Sequence, residues 1–99
     1  MNIKISSVHF DADKKLLDFV NSKVSKMNQF FDGIVGVEVV LKIEKSQQDD
    51  NKIAEIKLEV PGNDLFAKKQ SKTFEEAIDL AIDALKKQVA KHKEKLKGL

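Results

Sequence analysis

Two stretches in the middle of the chain alternate apolar and polar residues with a period of two, and the segments flanking them do not. Val37, Val39, Leu41 and Ile43 fall on one face, with Glu38, Lys42 and Glu44 on the other; Ala54, Ile56, Leu58 and Val60 resume the alternation. Successive side chains of a strand point to opposite faces, so each stretch is predicted to be a half-buried strand. Residues 46–51 are polar and make the predicted hairpin loop. Pro61, Gly62, Asn63 and Asp64 turn the chain into a further strand over residues 65–70. Ile3 and Ile5 start the same alternation at the N-terminus.

Outside these strands the apolar period is helical. Leu16, Leu17, Val20, Val24, Met27 and Phe31 lie on one stripe at about 100° per residue, with Asp13 as N-cap and Asp32-Gly33 as the stop. The second helix opens on a capping box, Thr73 with Glu76 three residues on, and its stripe runs Phe74, Ile78, Ala81, Leu85, Val89, His92, Leu96. The predicted fold is α+β, in the order βαβββα. Each helix and each strand has one apolar face, so both helices are predicted to cover one face of a four-stranded sheet, taken as antiparallel. The 99 residues suit a single domain, 1–99, with no repeat or linker. Lys4, Glu38, Lys42, Glu44, Glu55, Lys57 and Glu59 occupy the other sheet face, a mixture of signs that reads as solvated surface.

Charge is distributed unevenly. The net charge is only +2, yet residues 84–97 carry six lysines against one glutamate. A concentrated basic patch suits a phosphate backbone, because each neutralised phosphate releases a condensed counterion. All 18 basic residues are lysine, so the bidentate fork with which arginine reads guanine edges is missing, and charge attraction should outweigh base reading. The absence of cysteine excludes a disulfide framework and a Cys-rich zinc site and suits a reducing compartment, the cytoplasm by default. No signal-peptide run is visible and no stretch approaches the roughly 18 apolar residues of a membrane span, so no membrane partner is expected.

Folding accounts for only part of the lysine excess. The helix dipole favours cations within the last turn, by about 0.3–1 kcal/mol, but Lys86 and Lys87 lie about three turns before the end. Lys87, Lys91 and Lys95 stack at i+4 spacing, where like charges oppose one another by about 0.2–0.5 kcal/mol per pair. Asp83 can partner Lys86 or Lys87 and Glu94 can partner Lys91 or Lys97, which still leaves an excess. On a helical wheel the lysines form two rows flanking the apolar stripe: Lys87, Lys91, Lys95 on one side, Lys86, Lys93, Lys97 on the other. The first helix adds a flank of Phe19, Lys23, Lys26 and Phe30, in which the rings are read as packing against the neighbouring helix beneath lysine stems. The predicted site is one basic surface shared by the helices, Lys23 and Lys26 with the Lys86 to Lys97 set.

No constellation points to catalysis. His9 and His92 are far apart and lack ligand-like spacing; His92 sits on the apolar stripe as a packed residue. Asp79 and Asp83 form an i,i+4 carboxylate pair, explained by the helix dipole and by Asp83 pairing with lysine. Gly-rich phosphate loops, nucleophile elbows and zinc motifs are missing, and Asp49-Asp50 is too sparse for a calcium loop. The chain is predicted not to be an enzyme and to need no cofactor, metal or small-molecule substrate.

Residues 17–23, Gln29-Phe30-Phe31-Asp32 and residues 39–45 resemble the ribosome hibernation-promoting factor family, also called ribosome-associated inhibitors or ribosomal subunit interface proteins. Ala77-Ile78-Asp79 and residues 83–96 are similar to that family's second helix, and the resemblance covers nearly the whole chain. It implies the βαβββα fold and a stress factor that binds the small ribosomal subunit and its rRNA, in the channel of messenger RNA and tRNA, and so blocks translation. Carried over position by position, the rRNA-binding residues would be Lys23, Lys26, Lys86, Lys87, Lys91, Lys93 and Lys95. The chain departs from the family where arginines of relatives are lysine or absent, and where Thr73-Phe74-Glu75 replaces the usual Asp-Met-Tyr. With its end at Leu99 it resembles a short form with no C-terminal dimerisation domain, a shape that leans toward the type promoting ribosome dimers.

Two other classes fit the residues alone. One is a stand-alone domain that binds structured RNA by shape; the other is a module whose lysine-rich helix binds an acidic protein. A single-strand platform fits less well, since Phe66 is the one aromatic residue available on the strands and the chain has no Tyr or Trp.

Overall fold

A computed structural model describes residues 1–31, 33–44 and 51–97, the side chains of 92–97 excepted. The predicted hairpin loop at 46–51 therefore lies, except for Asn51, outside the described residues, as do Asp32 and the side chains of His92, Lys93, Glu94, Lys95, Leu96 and Lys97. The chain runs β1 (Asn2–Val8), α1 (Lys14–Ser25), β2 (Gly36–Ile43), β3 (Lys52–Glu59), β4 (Leu65–Ser71) and α2 (Phe74–Lys97). The order is βαβββα, and the strands make one sheet in the order β1-β2-β3-β4.

One expectation is corrected. β2 pairs antiparallel with β3, and β3 with β4, but β1 pairs parallel with β2, with Ile3 beside Val37 and Ile5 beside Val39. The sheet is mixed. A helix placed between two strands carries the chain back to the end where the first strand began, so the next strand can lie parallel to it, whereas the short connections from β2 to β3 and from β3 to β4 return the chain antiparallel beside the strand it has just left.

Local chemistry explains the helix ends. Asp13 is extended (φ −76°, ψ 168°) and its Oδ1 accepts from the Leu16 N–H at 2.8 Å, the N-cap of α1. The α-helix stops at Ser25, short of the Gly33 stop, and a 3₁₀ turn over Lys26–Gln29 continues it. Ser25 Oγ donates to the Asn21 carbonyl at 2.6 Å, a bond back along the helix that disturbs its last turn. The tighter turn still delivers Met27 and Phe31 to the core. Gly33 (φ +104°) then supplies a left-handed conformation that a side chain would strain.

At α2 the Glu76 N–H donates to Thr73 Oγ1 at 3.1 Å. Thr73→Ala is expected to cost about 1 kcal/mol of unfolding free energy, measurable by urea titration, while Thr73→Ser should cost much less. The ring of Phe74 stacks on Phe10 with centroids 4.7 Å apart, tying the β1–α1 connection to the start of α2.

The core lies between the sheet and both helices. Val20, Val24 and Met27 meet Val37, Val39, Leu41, Ile56 and Leu58 of the sheet, and Ile78, Ala81 and Leu85 of α2 close it. α2 lies over β3 and β4 and touches α1, which lies against β1. A helix of 24 residues is about 36 Å long, against about 25 Å for a strand of seven or eight, so α2 overhangs the sheet. Val89 is its last buried side chain among the described residues.

The opposite sheet face carries the mixed charges expected of it. Lys42 pairs with Glu55 at 3.1 Å, Lys57 with Glu38 at 3.4 Å, and Lys68 approaches Glu55 at 3.9 Å. Phe66 stands among them half exposed. No helix is long and apolar enough to cross a membrane among the described residues.

Candidate nucleic-acid interface

The orientation of α2 decides where its lysines point. Phe74, Ile78, Ala81, Leu85 and Val89 are buried, and the flank carrying Asp79, Ile82 and Lys86 is turned toward α1. From the other side the 3₁₀ turn brings Lys26 and Phe30, and the last turn of α1 brings Lys23. These residues, with Asp83, line a cleft of about 340 Å³ between the helices.

Aromatic rings fix two of its cations. Lys86 Nζ stands 4.4 Å from the centre of the Phe30 ring, across the helix interface, and Lys23 Nζ stands 5.5 Å from the centre of the Phe19 ring. At exposed sites such contacts contribute about 0.5–1 kcal/mol, enough to bias the rotamers of otherwise mobile side chains. Phe19 is half buried against the core, while Phe30 keeps 40% of its surface. The rings thus pack under lysines as the spacing predicted, with one of the lysines supplied by the other helix.

Lys23 has a second partner. Its Nζ is 3.3 Å from Asp79 Oδ1, an ion pair joining α1 to α2 with both side chains about half exposed. Sequence reasoning looked for partners within α2 and missed it. Among the described residues no ion pair joins Asp83 to Lys86 or Lys87. Asp79 and Lys86 are seven residues apart, two helical turns, and so share one stripe of α2, but that spacing does not name Lys23 as the partner.

The structure therefore brings together Lys23, Lys26 and Lys86, and leaves Lys87 and Lys91 outside the cleft. Lys87 and Lys91 stand about 100° and 140° around the helix axis from Lys86 and are exposed on the flank away from α1. The side chains of Lys93 and Lys95 lie outside the described residues. Among the described side chains, three lysines line the cleft and Lys87 and Lys91 stand on a separate exposed flank. Chemically, the cleft offers ammonium donors over an apolar floor of Phe30 and Ile82, suited to an anionic polymer whose phosphates reach the lysine tips. Among the described residues no group of three or more His, Asp or Glu side chains could hold a metal ion.

Comparison with known proteins gives the same answer by three routes. Residues 3–97 match the family model described as sigma 54 modulation protein / S30EA ribosomal protein. The chain is 40% identical over 97 residues to the ribosome hibernation promoting factor of Klebsiella oxytoca, covering 98% of each. It is 35% identical over 99 residues to that of Pseudomonas putida, covering 100% of this chain and 93% of the relative. The fold is similar to a ribosomal subunit interface protein from Coxiella burnetii, with TM-score 0.83 and 22% identity over 94% of this chain and 98% of that one. It is also similar to the Thermus thermophilus Protein Y N-terminal domain, with TM-score 0.79 and 27% identity over 93% and 99%.

Proposed function

The chain belongs to the sigma 54 modulation protein / S30EA ribosomal protein family, and from that premise we propose that it is a ribosome hibernation factor. It binds the rRNA of the small ribosomal subunit in the channel used by messenger RNA and tRNA, and keeps ribosomes inactive under stress. It works in the cytoplasm and carries out no chemical step. Blocking the channel needs only occupancy by a protein of fixed shape.

The observation that supports this reading is the convergence of Lys23, Lys26 and Lys86 from two helices on one cleft. Phosphates along an RNA strand are spaced too regularly for a lone lysine row to discriminate between RNAs. Cations on both walls of the cleft can engage phosphates of a strand lying across its mouth. Lys87 and Lys91 provide a second contact on the exposed flank of α2, with Lys93 and Lys95 further along the helix.

Sedimentation of bacterial ribosomes and separated subunits tests the proposal, at moderate and high salt, with wild type and Lys87→Glu/Lys91→Glu. The protein is expected to travel with the small subunit and the double variant to remain behind. Neutralisation of about six phosphates should give log K falling with log salt at a slope of about −4 to −5. A protein that stays in the supernatant yet shifts free duplex RNA would instead be a stand-alone structured-RNA-binding domain; one that does neither would refute RNA binding.

A further inference from the structure

The cleft between α1 and α2 is lined by two carboxylates as well as three lysines, which is a poor design for binding RNA in general. We propose that Asp79 and Asp83 are specificity-determining residues that weaken binding to generic RNA and so make the cleft selective for its proper target. This rests on the rRNA reading above.

Folding does not ask for these two acids. Neither explanation that the sequence offered for them holds: the helix dipole favours negative charge within the first turn, where Glu75 and Glu76 already stand, whereas Asp79 and Asp83 fall in later turns, and no ion pair joins Asp83 to a lysine among the described residues. Aspartate is a weak helix former at interior positions. The one ion pair they make within the described residues, Asp79 to Lys23 at 3.3 Å, joins two half-exposed side chains, a class of contact that adds little stability.

Their effect on a ligand is specific. A carboxylate and a phosphate only accept hydrogen bonds, so a phosphate that binds Lys23 either shares its ammonium with Asp79 or displaces it, and in both cases meets its repulsion, with Asp83 one turn further along the same wall. Ribose hydroxyls and base amino groups donate, and both carboxylates can accept from them. An RNA whose folded shape presents phosphates to the lysine tips and donors to the aspartates loses nothing, whereas a duplex, whose regular backbone presents phosphates to lysines and aspartates alike, is penalised.

The test compares wild type, Asp79→Asn/Asp83→Asn and Asp79→Glu on two probes, purified small ribosomal subunits and an unrelated RNA duplex. The double variant should bind the duplex about tenfold more tightly at low salt, since each removed carboxylate relieves a repulsion worth a few-fold. Its salt slope on the duplex should steepen by about 0.9 for the freed Lys23. Affinity for the subunit should not rise in step, so the ratio of subunit to duplex affinity falls about tenfold, and Asp79→Glu should keep the wild-type ratio. A merely structural role would change the thermal midpoint and leave the slope alone. Wild-type binding to subunits with an unchanged duplex affinity in the double variant overturns the selectivity role by itself. Failure of the wild type to bind subunits overturns the rRNA reading, and the selectivity role with it.

Discussion

Leu85→Ala is expected to lower the unfolding free energy by about 3 kcal/mol, whereas Leu80→Ala on the same helix should cost less than about 1 kcal/mol. Leu85 is fully buried in the middle of α2 against the sheet, and its truncation leaves a cavity that the close-packed core fills only in part. Leu80 keeps 41% of its surface, so most of its side chain is already in water. For a domain of this size the first change should lower the melting midpoint by about 12–24 °C. Urea unfolding followed by circular dichroism measures both, and an unchanged m-value would assign the loss to the native state. The contrast fixes the rotation of α2 about its axis. If the two leucines cost the same, the helix faces another way and Lys86 does not point into the cleft.

What the sequence made legible follows from what periodicity encodes. A period of two tells which face of a strand is buried, and Val37, Val39, Leu41, Ile56 and Leu58 are all buried as read. It does not tell which way a neighbouring strand runs, because side chains alternate identically in parallel and antiparallel pairs, and so the parallel partnership of β1 with β2 was invisible. The stripe Val20, Val24, Met27, Phe31 was legible for the same reason, while the change from α to 3₁₀ at Lys26, next to the hydroxyl bond from Ser25 to Asn21, leaves no mark in the apolar pattern. Caps at Asp13 and Thr73 were legible because each is a local arrangement of neighbours in sequence.

The site was legible in its residue types more than in its grouping. A helical wheel separates Lys86 from Lys87 and Lys91, yet only packing decides which of the two flanks meets α1. Once α2 is docked by Ile78, Ala81 and Leu85, the flank with Asp79, Ile82 and Lys86 meets α1, and Phe30 from the 3₁₀ turn slides under Lys86. The ion pair between Lys23 and Asp79 is a product of that docking. Residues 56 positions apart share no signal in the local spacing of either helix.

Replacement of the three cleft lysines together, Lys23→Gln/Lys26→Gln/Lys86→Gln, is expected to weaken binding to small ribosomal subunits by about a hundredfold or more at moderate salt. Three lost charge-assisted contacts at about 1 kcal/mol each account for that factor. The same change should flatten the salt slope by about 2 to 3. Glutamine is uncharged, matches lysine in heavy-atom number and keeps its first two methylenes, so the loss reports charge more than packing. The fold should survive, because the pair that disappears is half exposed and such pairs contribute about 0–1 kcal/mol. Lys87→Gln/Lys91→Gln should weaken binding less, by about fivefold at most, and flatten the slope by about 1 to 2. The difference has a physical origin: rings hold Lys23 and Lys86 near their working positions before RNA arrives, and ordering a free lysine on binding costs about 0.5–1.5 kcal/mol. Equal losses per lysine from the two sets would show that the cleft is no better organised than the open row, and that the protein binds through charge density on α2 alone.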